Sequence, residues 1–233
     1  MRFTFGGVDF SCKDATPSFH RTLNDLFPLS YVSFLVAKTY GEDTGIKQQV
    51  LDALSPFQIV SKAWAVNSLR YVPIFRSVYY PGSWLGQLPV AVQNGYQKDY
   101  NRYGYTVSHV LIDKDPVCSA VASVAVGTHL VGTLSKVLVQ DIYDLAPVSE
   151  PSTFVWTGLE HFDLEKVRRW VRSCPTGTTF LFQGTDMPAE DHVSPISSPK
   201  DILSALEIGV GQVKLQGSLS SCIGNRHQVV FTL

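Results

Sequence analysis

The sequence predicts an α+β protein: a helical N-terminal third, followed by a mixed β-sheet region with a central buried helix, and a C-terminal β-hairpin. Three observations carry this prediction. Apolar residues recur at helical spacing from Ile46 to Leu69. The stretch from Pro116 to Ser135 contains no Asp, Glu, Lys or Arg. The end of the chain alternates as two extended runs, Gln212 to Leu219 and Gln228 to Leu233, around Cys222-Ile223-Gly224-Asn225.

Taken in order, Arg2-Phe3-Thr4-Phe5 and Val8-Asp9-Phe10 flank Gly6-Gly7, a tight-turn signal, and read as an opening hairpin. Thr16-Pro17-Ser18 starts a helix through His20, Leu23, Leu26 and Phe27 that Pro28 ends, and an apolar segment follows from Tyr31 to Ala37. After the loop Gly41-Glu42-Asp43-Thr44-Gly45, the helical pattern of Ile46, Val50, Leu51, Leu54, Phe57, Val60 and Trp64 is interrupted only at Ser55-Pro56. From Tyr71 to Gln93, short extended runs are punctuated by Pro73, Pro81-Gly82, Gly86 and Pro89, which predicts edge strands and loops.

The next run, QNGYQKDYNRYGY, interleaves Tyr96, Lys98, Tyr100, Arg102, Tyr103 and Tyr105. Such a run can stack unpaired bases, but tyrosine-rich polar loops are at least as typical of protein contact surfaces. Tyr96, Tyr100, Arg102, Tyr103 and Tyr105 are therefore interface candidates.

In the central stretch, Val107 and Val110-Leu111-Ile112 form a strand, and Asp115-Pro116 supplies a helix N-cap with proline at the first helical position. As a helix, it would align Val117, Val121, Val124, Val131, Leu138 and Ile142 near one stripe. Its valines and Gly127 and Gly132 also allow a break into a helix and a strand. Its hydroxyls and His129 dilute the hydrophobicity, so a membrane span is not favoured.

Ala146 to Pro151, with prolines at 147 and 151, is the best linker candidate and divides the chain into 1–146 and 147–233, unless the two form one continuous domain. Beyond it, Phe154-Val155-Trp156, a helix capped by Asp163, and a strand from Thr178 to Phe182 make a β-α-β unit. A polar loop from Gly184 to Pro199 and a short helix from Lys200 to Ile208 lead into the final hairpin.

Composition narrows the function classes. A charged fraction of 17% and an aromatic fraction of 12% leave a surface with few charges, as expected where other subunits cover it. A net charge of −1 argues against neutralising a duplex backbone, so nucleic acid is not the favoured partner. The four cysteines, at 12, 118, 174 and 222, form no CxxC pair and no metal-ligand spacing with the histidines. The N-terminus has no apolar targeting segment, which predicts an intracellular chain kept in a reducing compartment. No cofactor motif is present; Gly127 to Thr133 has the glycine spacing of a phosphate loop but lacks its lysine.

One catalytic pattern stands out. Cys12 follows a strand and His227 opens the last one, an order that resembles papain-like cysteine hydrolases. The resemblance implies a thiol nucleophile at Cys12 with His227 as its base, although Asp14 nearby opposes thiolate formation. In the polar loop, Asp186, Glu190, Asp191 and His192 form a carboxylate and imidazole set that a solvated loop also explains. The expectation that follows is a non-enzymatic structural or assembly subunit, most concretely a capsid or tail component of a virion, whose partners are other protein subunits. The alternatives are a cysteine hydrolase and a single-strand nucleic-acid binder.

Overall fold

The structure is a computed structural model that describes residues 1–14, 19, 23, 44–73 and 76–233. The expected helix from Thr16 and the segment from Tyr31 to Ala37 lie outside the described residues, apart from the buried Phe19 and Leu23.

In chain order the strands are β1 (Arg2–Phe5), β2 (Val8–Cys12), β3 (Ser77–Pro81), β4 (Ser108–Asp113), β5 (Lys136–Val139), β6 (Thr153–Thr157), β7 (Thr179–Thr185), β8 (Val213–Ser221) and β9 (Gly224–Thr232). The helices are α1 (Thr44–Ala53), α2 (Pro56–Ser68), α3 (Gln87–Tyr103), α4 (Pro116–His129), α5 (Leu164–Arg172) and α6 (Pro199–Leu206). All the described strands join one 9-stranded sheet in the order β1-β2-β8-β9-β7-β6-β3-β4-β5. The stretch from β5 through β4, β3 and β6 to β7 is parallel, and β9, β8, β2 and β1 add to it antiparallel.

This corrects the α+β expectation. Strand and helix alternate from β3 to β5 and again from β6 to β7, with only a 3-10 turn at Ile142–Asp144 between β5 and β6, and the parallel sheet starts at its centre: β3 is followed by β4 and β5 on one side, then by β6 and β7 on the other. That is a doubly wound α/β architecture whose strand order reverses between β3 and β6. Strands on both sides of the expected division at 146/147 are hydrogen-bonded into this sheet, through the pair β3 and β6.

The region expected as edge strands and loops, Tyr71 to Gln93, forms the centre of the parallel sheet and the start of a long helix. β3 lies at the centre, and the tyrosine-rich run is the second half of α3. Gly86 is the N-cap of α3, at φ +80, and Pro89 sits in the helix's first turn, where its missing N–H leaves no bond unmade. The two residues read as loop signals are helix-start signals.

The central stretch breaks into α4 and β5. The Asp115 carboxylate caps α4 by accepting from the N–H groups of Val117 (2.8 Å) and Cys118 (3.4 Å). Its buried face is built from small residues, Ser119, Ala122 and Ala125 with Cys118 and Val121, while Val117, Val124 and Val131 are exposed. Of the expected stripe, Val121 and Ile142 are buried, and Val117 and Val124 face outward because the small residues on the inner face of α4 allow the β3–α3 loop to pack close: a Cβ on Gly86 would stand 3.4 Å from Ala122 Cα. Among the described residues no helix is long and apolar enough to cross a membrane.

The two faces of the sheet differ in what covers them. Val78, Tyr80, Leu111, Val155, Leu181, Leu219 and Val230 point toward α2 and α3. Their neighbours in the strands, among them Phe154, Trp156, Phe180, Phe182 and Phe231, point toward α5 and α6. The β-α-β unit of β6, α5 and β7 forms as the sequence predicts, with Asp163 capping α5 through the N–H groups of Glu165 (3.0 Å) and Lys166 (3.2 Å).

Candidate active site

A cleft of about 1180 Å³ opens where β3, β4 and β6 end. In a doubly wound sheet this is the expected place for a ligand, because the connections on either side of the strand-order reversal diverge and leave a crevice. In the loop from β3 to α3, Gly82-Ser83-Trp84-Leu85-Gly86, the first three residues form the floor of the cleft. Gly82 and Gly86 have φ of +61 and +80, and Trp84 has φ of +50, a left-handed conformation rare for a bulky side chain. The turn is fastened by Ser83 N–H donating to Ile112 O (3.1 Å) and Gly86 N–H donating to Ser83 O (3.0 Å).

Asp113, at the end of β4, reaches this loop. Its Oδ2 accepts from Trp84 N–H (2.9 Å) and its Oδ1 from Asp115 N–H (3.0 Å). Burial raises the pKa of its carboxyl above the usual range, against the opposing effect of these two bonds. A carboxylate at the end of the second strand of the parallel set is where nucleoside-binding α/β folds hold ribose hydroxyls. Beside it the Ser83 hydroxyl is buried with no hydrogen-bond partner among the described residues.

The wall facing this floor is α2. Lys62 is 6% exposed, donates from Nζ to Gln58 Oε1 (2.9 Å) and sits 5.2 Å from the centre of the Trp84 ring. Burial, with the Arg226 charge second, pushes its amine down to about 7, and Glu160 opposes this only in part. Glu160 and Arg226, 2% and 4% exposed, form a buried ion pair at 3.1 Å. The Trp84 indole N–H donates to Gln49 Oε1 of α1 (3.0 Å), and the Cys118 thiol donates to the same oxygen (2.7 Å). Burial and the adjacent Asp115 carboxylate push that thiol far above its ordinary range, so it stays protonated.

The structure does not bring Cys12 and His227 together. Cys12 lies opposite Leu219, and Leu219 lies opposite Arg226, so Cys12 shares the sheet face of Arg226 while His227 points to the other. The two residues are also two strands apart, roughly 10 Å. His227 accepts or donates through Nδ1 with Ser218 Oγ (2.9 Å), and its Nε2 is 3.9 Å from Asp186. A nucleophile made of Cys12 with His227 as its base is therefore ruled out by geometry. Of the interface candidates, Tyr100 is buried and Tyr96 donates its hydroxyl to Val66 O (2.9 Å), leaving Arg102, Tyr103 and Tyr105 at the surface. Of the polar-loop set, Asp191 and His192 approach the cleft beside His161, whereas Asp186 binds the backbone N–H (2.9 Å) and side-chain amide (2.6 Å) of Asn225.

No family model and no curated relative matches the sequence. Solved structures do match in fold. The magnesium protoporphyrin IX methyltransferase from Synechocystis PCC 6803, with bound SAH, is 14% identical over 85% of this chain and 92% of its own, with a TM-score of 0.52. The mitomycin 7-O-methyltransferase MmcR is 13% identical over 94% of this chain and 69% of its own, at 0.53. The S-adenosylmethionine-dependent methyltransferase SibL is 14% identical over 99% of this chain and 80% of its own, at 0.54. The class defined is the Rossmann-like fold these methyltransferases share. This corrects the expectation of a non-enzymatic virion subunit and of its two alternatives. That expectation leaned on the lack of a linear catalytic signature, and a doubly wound fold assembles its site from strand ends far apart in sequence.

Proposed function

We propose that this chain is an S-adenosylmethionine-dependent methyltransferase acting on a small molecule, with Lys62 as the proton acceptor. The observation that carries the reading is the placement of Asp113 and the Gly82–Gly86 loop at the strand-order reversal of a methyltransferase-like fold. The residues present fit the cofactor. Asp113 keeps acceptor capacity for ribose hydroxyls, and the unpartnered Ser83 hydroxyl is available to the amino-acid end. Trp84 stands at mid-loop, where a dinucleotide's pyrophosphate needs bare glycine backbone for close approach; a nucleoside without phosphates has no such need.

When bound, S-adenosylmethionine supplies an electrophilic methyl group on a sulfonium centre. A cavity of about 1180 Å³ exceeds the roughly 300–1,000 Å³ of a single ligand pocket, which leaves room for an acceptor beside the cofactor. Lys62, largely shielded from water and with an amine near neutrality, takes the proton from the acceptor's O–H or N–H group. The small-molecule acceptors named for two of the fold neighbours support the same acceptor class.

Calorimetric titration with S-adenosylmethionine and with its demethylated product tests the reading. Both are expected to bind one to one, and Asp113→Asn, which keeps the side chain's shape but removes its charge, should weaken both by at least 10-fold. Failure of either ligand to bind at millimolar concentration, with the chain folded by circular dichroism, would sink the assignment.

A further inference from the structure

A cluster in the same cleft uses none of the residues assigned to the cofactor. Glu160 and His161 follow β6, and His192 comes from the loop after β7; one ligand atom from each lies within 4.8 Å of the other two. Arg226 occupies Glu160 Oε1, and Oε2 of this almost fully buried carboxylate has no hydrogen-bond partner among the described residues. His192 Nδ1 is likewise buried and unpartnered. Leaving a buried carboxylate oxygen and a buried imidazole nitrogen unpaired is costly unless something absent from the chain pairs them.

We propose that Glu160, His161 and His192 bind a divalent transition-metal ion of the zinc class, with an open coordination position facing the cleft. The orientation of His161 supports this. Its Nδ1 lies 3.2 Å from Asp191 Oδ2, a contact that favours the proton on Nδ1 and leaves Nε2 as the lone pair for the ion. That Nε2 lies 4.0 Å from Glu160 Oε1. Two imidazoles and one carboxylate select zinc, iron or a similar ion over magnesium and calcium, which favour all-oxygen sites. Metal–ligand bonds of about 2.0–2.2 Å need the ligand atoms to draw in by roughly 1.5 Å, which side-chain rotation supplies. The backbone that carries His192 is already tied to Glu160, whose carbonyl accepts from Val193 N–H (2.8 Å) and Ser194 N–H (3.0 Å).

Charge is consistent with occupancy. Glu160 and Asp191 oppose the Arg226 guanidinium, and the nearby Lys62 amine is lowered to about 7, so it adds at most a partial charge near neutral pH against an incoming dication. Three protein ligands leave a position for water or for an oxygen of the acceptor, the arrangement of catalytic rather than structural metal sites. The inference stands whatever cofactor the cleft takes, since Asp113 and the Gly82–Gly86 loop contribute no ligand.

The test titrates the full chain, stripped with chelator, with zinc chloride and separately with magnesium chloride, and records the visible spectrum with cobalt(II). Expected are one zinc site of micromolar affinity or tighter, no competition from millimolar magnesium, and cobalt bands of a low-coordinate nitrogen–oxygen site. His161→Ala with His192→Ala should weaken zinc at least 100-fold, and Asp191→Asn should weaken it about 10-fold, with circular dichroism of each apo variant unchanged. Absence of stoichiometric zinc binding by the wild type would overturn the proposal. So would unchanged affinity in the double variant, which would put the ion elsewhere, for example on the exposed Cys222.

Discussion

The two faces of the central sheet are built from the same strands and do different work. Toward α5 and α6 the face is aromatic and dry: Phe180 stacks on Phe154 and on Phe231 with ring centres 5.2 Å away in each case, and Trp170 meets Phe154 edge-on at 4.8 Å. Toward α2 the alternate residues of the same strands turn polar near the cleft. Gln183 donates to Ser61 O (3.0 Å) and to Gln228 Oε1 (2.7 Å), and Arg226 meets Glu160. Because side chains alternate along a strand, β7 and β9 place packing on one face and site chemistry on the other without either interrupting the sheet. Stability and chemistry are therefore separable by mutation, one residue apart in sequence.

The largest effect should come from the dry face. Phe180→Ala removes a ring held between two stacked partners and leaves a cavity that the surrounding rings cannot collapse into. A loss of about 3–5 kcal/mol is expected in urea or guanidinium denaturation. A loss below about 1 kcal/mol would mean that the aromatic face is loosely packed and that the contrast between the faces is false.

A smaller effect of opposite character is expected from the polar face. In the native state Lys62 releases its proton near pH 7, because burial and Arg226 oppose its charge, whereas in the unfolded chain it holds the proton to about pH 10.4. Between those values the unfolded state binds more protons, so stability rises with pH. From pH 7 to about 8.5 the rise attributable to Lys62 is about 2 kcal/mol. Above that, the buried thiols of Cys118 and Cys174, whose pKa values are raised, begin to pull the other way. Lys62→Met should flatten the rise between pH 7 and 8.5 while lowering turnover in the proposed methyl transfer by 10²–10⁴-fold. Parallel stability curves for wild type and variant would show that Lys62 stays charged, and would remove it as a base.

These residues also mark what the sequence could reveal. The β6-α5-β7 unit was legible because Phe154-Val155-Trp156, the Asp163 cap and the Pro175 stop are local signals with local causes. The opening and closing hairpins were legible for the same reason, through Gly6-Gly7 and Gly224. The centre of the fold was not, since Gly86 and Pro89 serve a helix start as readily as a loop. Trp84 further hides the β3–α3 loop by standing where a glycine-rich pattern would announce it. Lys62 carried one faint signal, the lone charge of α2, between Val60 and Trp64. His192 carried a weak one, as the imidazole of an acidic polar loop, but Glu160 and His161 carried none, because segments distant in sequence bring the three together.

The smallest predicted effect sharpens the comparison by placing the same chemical pair in water. On the outer side of the dry face Glu207 binds Arg168 Nη1 (2.6 Å) and Arg172, with about half of its side chain exposed. It is the surface counterpart of the sealed Glu160–Arg226 pair. Solvent screens the outer pair, so Glu207→Gln should cost less than about 1 kcal/mol, and less again in high salt. Glu207 also caps α6 at φ +54, a left-handed conformation that glycine adopts without strain. Glu207→Gly should therefore be at least as stable as Glu207→Gln, because both lose the ion pairs and only the first relieves the backbone. A cost above about 2 kcal/mol for Glu207→Gln, measured by denaturation at low and high salt, would show that this exposed pair is not screened. Burial would then not be what separates the two Glu–Arg pairs.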